Sequence, residues 1–214
     1  FMVDNPSMVT LDSLQITQNK QEMETIYHSA YEACTHGAGP GQHYEPDVII
    51  ANPPVHVHIH IAQKLQVPLH IMFTMPWSKT KHYPHPFATI GHGKLYGNKE
   101  SYKVVDRMIW VGLQKVINDF RQALGLPVLK QGADWVEKCQ IPHTYCMSPH
   151  LVPKASDWGP HIDVAGFYFL DGASSFDADA TCPDLARFLA EGPPPFYVGF
   201  GSIVVDDPKA LSKT

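Results

Sequence analysis

The sequence has no excess of basic charge and no run of lysines or arginines. It carries 16 Lys and Arg against 21 Asp and Glu, a formal net charge of −5. A nucleic-acid surface requires a clustered positive field, so nucleic acid is not an expected partner. No apolar run reaches the roughly 18 residues that span a bilayer, and the first residues lack a signal-peptide pattern. We therefore expect a cytoplasmic protein without a transmembrane segment, with peripheral attachment to membranes left open.

Cysteine is also scarce. The chain has 4 cysteines, which are scattered and form no CxxC pair. Reduced thiols are the simplest interpretation of this pattern. With 44% hydrophobic and 17% charged residues, the composition is that of a globular protein with a packed core and excludes a disordered chain.

Histidine, in contrast, is abundant, with 13 in the chain. His56, His58 and His60 alternate, but a helix would place only His56 and His60 on one face, and no nearby Cys or carboxylate completes a tetrahedral set. We expect no metal and no bound cofactor. One of these side chains is expected to cap a helix or to face a cleft.

Apolar spacing predicts an α/β fold. Short buried strands are predicted within residues 46–54 and 67–73, with a helix over 57–65 between them, and this βαβ order implies a parallel sheet. Further helices are predicted over residues 21–34, 101–124 and 182–190, and strands over 162–170 and 193–202. Residues 140–163 contain four prolines and are predicted to cross between two units in an extended form.

A loop rich in proline and aromatic residues follows the second predicted strand. Ligands bind at the carboxyl ends of strands in open α/β sheets, and this loop carries aromatic and thioether side chains that suit a flat apolar ligand. These side chains are Phe73, Met75, Trp77, Tyr83 and Phe87. For Trp77, packing of the loop is the alternative interpretation.

Six strings stand out between residues 47 and 208: Ala51-Asn-Pro-Pro, Phe73-Thr-Met-Pro-Trp77, Pro84-His-Pro86, Ser148-Pro-His-Leu-Val-Pro-Lys154, Asp157-Trp-Gly-Pro160 and Gly199-Phe-Gly-Ser202. Their combination resembles the sterol 3β-glucosyltransferases of plants and fungi. The resemblance implies a GT-B fold, in which a Rossmann-like acceptor domain is followed by a Rossmann-like donor domain. It also implies inverting transfer of glucose from UDP-glucose, as co-substrate, to the 3β-hydroxyl of a sterol at a membrane surface.

The resemblance assigns site residues as well. It implies acceptor binding by Phe73, Thr74, Met75, Trp77 and His85, although a structural role for His85 within its loop fits equally well. It implies donor binding by the turn at Gly201 and Ser202, where a strand is predicted to lead into a helix and backbone N–H groups would meet an anion. For that turn, a structural need for glycine is the alternative.

The resemblance also predicts how the chain divides. Residues 1–147 are predicted as a partial acceptor domain, 148–163 as the crossing segment, and 164–214 as the first βα unit of the donor domain. The Gly-Ser-Arg-Gly-Asp segment that opens family members, whose aspartate is implied as general base, has no counterpart here, so the base is expected upstream of Phe1.

We therefore expect an internal fragment that is inactive alone. Two alternatives remain: a glycosyltransferase for another lipid-like acceptor, and a non-catalytic lipid- or protein-binding module that reuses the acceptor domain.

Overall fold

A parallel sheet organises the larger of two compact units, Ser13–Tyr168. The structure, a computed structural model, describes residues 13–36, 41–88, 97–132, 135–170 and 177–199. Four strands lie side by side in chain order, and each neighbouring pair is parallel: β1 (Ile49–Ala51), β2 (Leu69–Phe73), β3 (His143–Tyr145) and β4 (Ile162–Val164). The predicted α/β class is confirmed, and the unit is a partial Rossmann-like domain.

The helices of this unit are α1 (Ser13–Thr35), α2 (His58–Leu65), α3 (Asn98–Ala123) and the single turn α4 (Trp135–Lys138). Helices α2 and α3 match the helices predicted from periodicity, whereas α1 begins at Ser13 and not at residue 21 as predicted. Gln66 follows the last residue of α2, and Gly125 lies just beyond the end of α3. Both residues adopt left-handed backbone angles, with φ of 57° and 72°. Such residues close helices because they turn the chain out of the helical path. Within the described residues, no helix has the length and apolar character needed to cross a membrane.

Two strand predictions differ from the structure. Strand β3 lies inside the segment that was predicted to cross between units. The sequence did not predict this strand, because its three residues contain no apolar run and form a strand only through pairing with β2. Strand β4 ends at Val164, well before residue 170, since Gly166 takes a left-handed φ of 94°.

One face of the sheet is buried. Alternation along the strands places Ile71, His143 and Ile162 in one row, in register across β2, β3 and β4. All three are buried, whereas Ile50, which points to the opposite face from β1, is 63% exposed. The buried row therefore marks the side of the sheet on which helices and loops pack.

Aromatic contacts join α1 to α3, next to α2. The ring of Phe120 lies 5.7 Å from that of Tyr27 and 5.3 Å from that of His28, both edge-on. Val57 and Ile61 of the α2 region belong to the same buried cluster. This cluster carries most of the apolar burial between the helices.

The second unit contains α5 (Ala178–Thr181) and α6 (Pro183–Glu191) among its described residues. The Asp177 carboxylate caps α5 by accepting a bond from the Ala180 N–H. Helix α6 matches the helix predicted over residues 182–190. No strand is present over residues 193–199, and the rest of the βα unit predicted there lies outside the described residues. The predicted domain bounds stay a prediction.

Candidate functional site

A cavity of about 370 Å³ lies over the buried face of the sheet, within the unit Ser13–Tyr168. Its floor is the row Ile71, His143 and Ile162. Helix α3 contributes Tyr102 and Ile109 to the wall. Helix α2, the segments that precede β3 and β4, and the loops that follow β1 and β2 complete the lining.

Every tryptophan of the chain lines this cavity. The sequence contains 4 tryptophans, and Trp77, Trp110, Trp135 and Trp158 all contribute to the wall. Trp158 is held in place by an indole N–H that donates to the Ser78 carbonyl at 3.1 Å. Indole faces give the cavity broad, rigid apolar surfaces of the kind that stack against flat rings.

Histidines form a large share of the polar part of the wall. Five line the cavity: His56, His58, His60, His143 and His161. Burial lowers the pKa of His58 to about 3, an effect reinforced by the nearby His56, His60 and His143. Burial, and then the Arg121 cation, lower the pKa of His60 to about 3. At neutral pH these rings are therefore uncharged hydrogen-bonding groups.

The histidines do not form a metal centre in the part of the chain that the structure describes. No group of three or more His, Cys, Asp or Glu there is arranged to hold a metal ion. The lining offers apolar surface and imidazole rings, together with the carboxylates of Asp106, Glu137 and Asp157. Its one lysine, Lys79, is paired with the Glu137 carboxylate at 3.2 Å.

The loop after β2 forms an aromatic cluster beside the cavity. The Trp77 ring lies 4.4 Å from His85, 4.8 Å from Phe87 and 5.3 Å from Phe73. The His85 backbone N–H donates to Ser101 Oγ at 2.9 Å, and its Nδ1 accepts from the Phe87 N–H. Burial lowers the pKa of His85 to about 4.

The predicted acceptor residues fall in three places. Trp77 lines the cavity, Phe73 and His85 pack against Trp77, and Thr74 and Met75 are exposed. The predicted donor residues Gly201 and Ser202 lie outside the described residues. Their binding roles stay predictions.

Sequence reasoning did not find most of the cavity wall. Trp135, His143 and His161 carried no signal of their own, since each belongs to a different segment. The scarcity of tryptophan was the one usable hint, because four large side chains in a chain of this length must lie at few places. Trp158 packs within the unit Ser13–Tyr168, 5.1 Å from the Tyr145 ring.

Asp157 ties the loop after β2 to the turn before β4. Its carboxylate accepts from the Thr80 hydroxyl at 2.6 Å and from the Lys81 N–H at 3.0 Å. Partial desolvation favours the neutral acid, but these hydrogen bonds together outweigh it and hold the pKa of Asp157 below its ordinary value. The loop that carries Trp77 and Ser78 is thereby fixed against the cavity.

We expect Asp157→Asn to lower the free energy of unfolding by about 1–3 kcal/mol, because one carboxylate oxygen is replaced by an amide NH2 that cannot accept. Urea unfolding at neutral pH measures this loss. Asp163→Asn is the matched control: its carboxylate is 73% exposed and pairs with Lys154 at 3.4 Å, so the change should be within about 0.5 kcal/mol. Equal losses in the two variants would contradict a role for Asp157 in holding the loop.

Comparison with known proteins gives relatives of one kind. Sterol 3-beta-glucosyltransferase UGT80A2 of Arabidopsis thaliana is 38% identical over 216 aligned positions, which cover 100% of this chain and 33% of that protein. Sterol 3-beta-glucosyltransferase UGT80B1 of the same plant is 37% identical over 212 positions, 98% of this chain and 34% of that protein. UDP-sugar-dependent glycosyltransferase 52 of Dictyostelium discoideum is 34% identical over 180 positions, 80% of this chain and 10% of that protein.

The chain therefore spans about a third of the length of the plant relatives that it matches. No protein-family model matches it.

Proposed function

Because this chain belongs to the sterol 3-beta-glucosyltransferase family, we propose that it forms the acceptor side of an enzyme that transfers glucose from UDP-glucose to the 3β-hydroxyl of a sterol. The names of the plant relatives support the sterol and the sugar. The name of the Dictyostelium relative supports a UDP-sugar donor. UDP-glucose is a co-substrate in this proposal, and the reaction uses no further cofactor.

The cavity lined by all four tryptophans is the observation that carries the proposal. Its volume of about 370 Å³ lies within the range of small-molecule sites. Indole faces suit a flat, rigid ring system, which gains about 25 cal/mol for each Å² of apolar surface removed from water.

The charge of the lining favours an acceptor over a donor in this cavity. A diphosphate requires cations, but burial keeps His58 and His60 neutral at pH 7 and Lys79 is paired with Glu137. A sterol is uncharged, so its binding does not require a cation in the cavity. The donor is instead proposed to contact Gly201 and Ser202.

The chain by itself is proposed to bind sterol without completing transfer. Inverting transfer needs a base for the acceptor hydroxyl and a full set of donor contacts, and the proposal assigns the base to a residue that is not part of these 214 residues. Incubation of the chain with labelled UDP-glucose and cholesterol tests this point. Steryl glucoside formed over several turnovers would overturn it.

Replacement of Trp77 tests the acceptor site. Trp77→Ala should raise the dissociation constant for radiolabelled cholesterol about tenfold to a hundredfold, since stacking of one indole contributes about 1.5–3 kcal/mol. Equilibrium binding to the full chain gives this constant, with circular dichroism as a check on folding.

Trp77→Phe is the control, because it retains an aromatic ring and should retain most of the affinity. An unchanged constant in a folded Trp77→Ala protein would place the acceptor elsewhere.

A further inference from the structure

In two histidines of the cavity wall, neighbouring groups determine which ring nitrogen carries the proton. Arg121 Nη1 lies 3.0 Å from His60 Nδ1, and a guanidinium only donates, so this Nδ1 accepts. In the same way the Ile59 N–H donates to His58 Nδ1 at 2.7 Å. A neutral imidazole has one donor and one acceptor, so Nε2 carries the proton in both His58 and His60.

A third histidine has the opposite assignment. His143 Nδ1 lies 2.6 Å from the Ile141 carbonyl, which only accepts, so the proton of His143 is on Nδ1. Its Nε2 therefore presents a lone pair. The cavity surface thus holds two N–H donors on α2 and one acceptor on β3, in rings that burial keeps neutral.

All three rings belong to the cavity lining, and His58 lies near the other two. His58, His60 and His143 are 5%, 4% and 7% exposed, and all three line the cavity. His60 and His143 are near enough to His58 to oppose its protonation. Among the residues that the structure describes, no side chain or backbone group bonds to any of the three Nε2 atoms. The cavity surface therefore offers both donors and an acceptor to a ligand group that itself accepts and donates.

We propose that His58, His60 and His143 bind the hydroxyl group of the acceptor. The hydroxyl oxygen accepts from the Nε2–H of His58 or His60, and its proton is donated to Nε2 of His143. This inference rests on the proposed function, which it deepens by placing one end of the sterol. His58 and His60 follow the carboxyl end of β1, the edge at which α/β sheets bind ligands.

Chemistry distinguishes a hydroxyl from the groups that resemble it. A ketone accepts but cannot donate, so its oxygen would leave the His143 lone pair unsatisfied and facing another lone pair. A hydrocarbon satisfies none of the three rings. The site should therefore discriminate among ligands that differ at one carbon only.

The test measures the dissociation constants of the full chain for three probes with one ring skeleton: cholestan-3β-ol, cholestan-3-one and cholestane. We expect the alcohol to bind about tenfold more tightly than the ketone, and at least about tenfold more tightly than the hydrocarbon. His143→Leu should bring the dissociation constants for the alcohol and the ketone to within about twofold of each other, because the leucine side chain has no nitrogen to accept the hydroxyl proton.

His70→Leu is the matched control. It makes the same substitution on the neighbouring strand β2, on the opposite face of the sheet, where His70 bonds to Thr144. This variant should preserve the discrimination. If His143→Leu fails to fold, the three-probe comparison on the parent chain still decides the matter.

The outcomes separate this inference from the function on which it rests. If the parent chain binds alcohol, ketone and hydrocarbon equally, sterol binding stands and the hydroxyl site is overturned. Discrimination that survives in a folded His143→Leu protein overturns the assignment to these histidines. If none of the three probes binds, the cavity holds solvent only, and the proposed acceptor function fails together with the inference.

Discussion

Acidification of this protein from about pH 7 to about pH 4 is expected to unfold the unit Ser13–Tyr168, because the fold keeps four histidines neutral. Burial lowers the pKa of His58 and His60 to about 3 and that of His56 and His85 to about 4, from an ordinary value of 6.5. Between about pH 4 and 6.5 the unfolded chain therefore binds more protons than the folded one. Stability is fully present above pH 6.5 and is lost as the pH falls through this window.

The size of the effect follows from proton counting. Each such histidine contributes about 1.4 kcal/mol per pH unit, so four give a slope of about 5 kcal/mol per pH unit. Domains of this kind are stable by about 5–15 kcal/mol, so a fall of one to three units below pH 6.5 exhausts their stability.

Urea unfolding at several pH values measures the slope. His56→Gln should reduce it by roughly a quarter, since one of the four groups is removed. His150→Gln, at an exposed position, should leave it unchanged. Stability that stays constant between about pH 7 and pH 4.5 would show that the histidines are not held neutral.

The second large effect is expected from Phe120→Ala. Phe120 is 1% exposed and its ring meets those of Tyr27, His28 and Tyr31 edge-on. Truncation removes the contacts that join α1 to α3 and leaves a cavity, which costs about 3–5 kcal/mol. The free energy of unfolding in urea gives this cost, and hydrogen exchange should show loss of protection along α1.

Phe188→Ala on α6 makes the same substitution at a side chain that is 62% exposed. It should change the free energy of unfolding by no more than about 0.5 kcal/mol. A Phe120→Ala protein as stable as Phe188→Ala would mean that α1 is not anchored through this ring.

The helices were predictable because their signals are local. Helix α3 repeats its apolar positions at helical spacing over 26 residues and is followed by Gly125 and Pro127. Strand β3 was not predictable in the same way. Its three residues, His143 to Tyr145, alternate polar and aromatic side chains without an apolar run, and they become a strand only when β2 and β4 lie on either side.

The candidate site was predictable in part for the same reason. Trp77 could be found because it follows a recognisable strand in a loop rich in proline and aromatic residues. His143 and Trp135 could not, since crossovers through α3 bring them to the cavity from segments that are distant along the chain. The proton positions on His58 and His60 depend on contacts with the Ile59 N–H and with Arg121, and the contact with Arg121 has no local pattern in the sequence.

The strictly sequential strand order β1-β2-β3-β4 has a consequence for synthesis on the ribosome. Among the four strands that the structure describes, each pairs with the one made immediately before it, so none of them is inserted later between two earlier ones. Closure of each connection costs only the loop entropy of one crossover. These four strands can therefore be added to the sheet in order as the chain emerges.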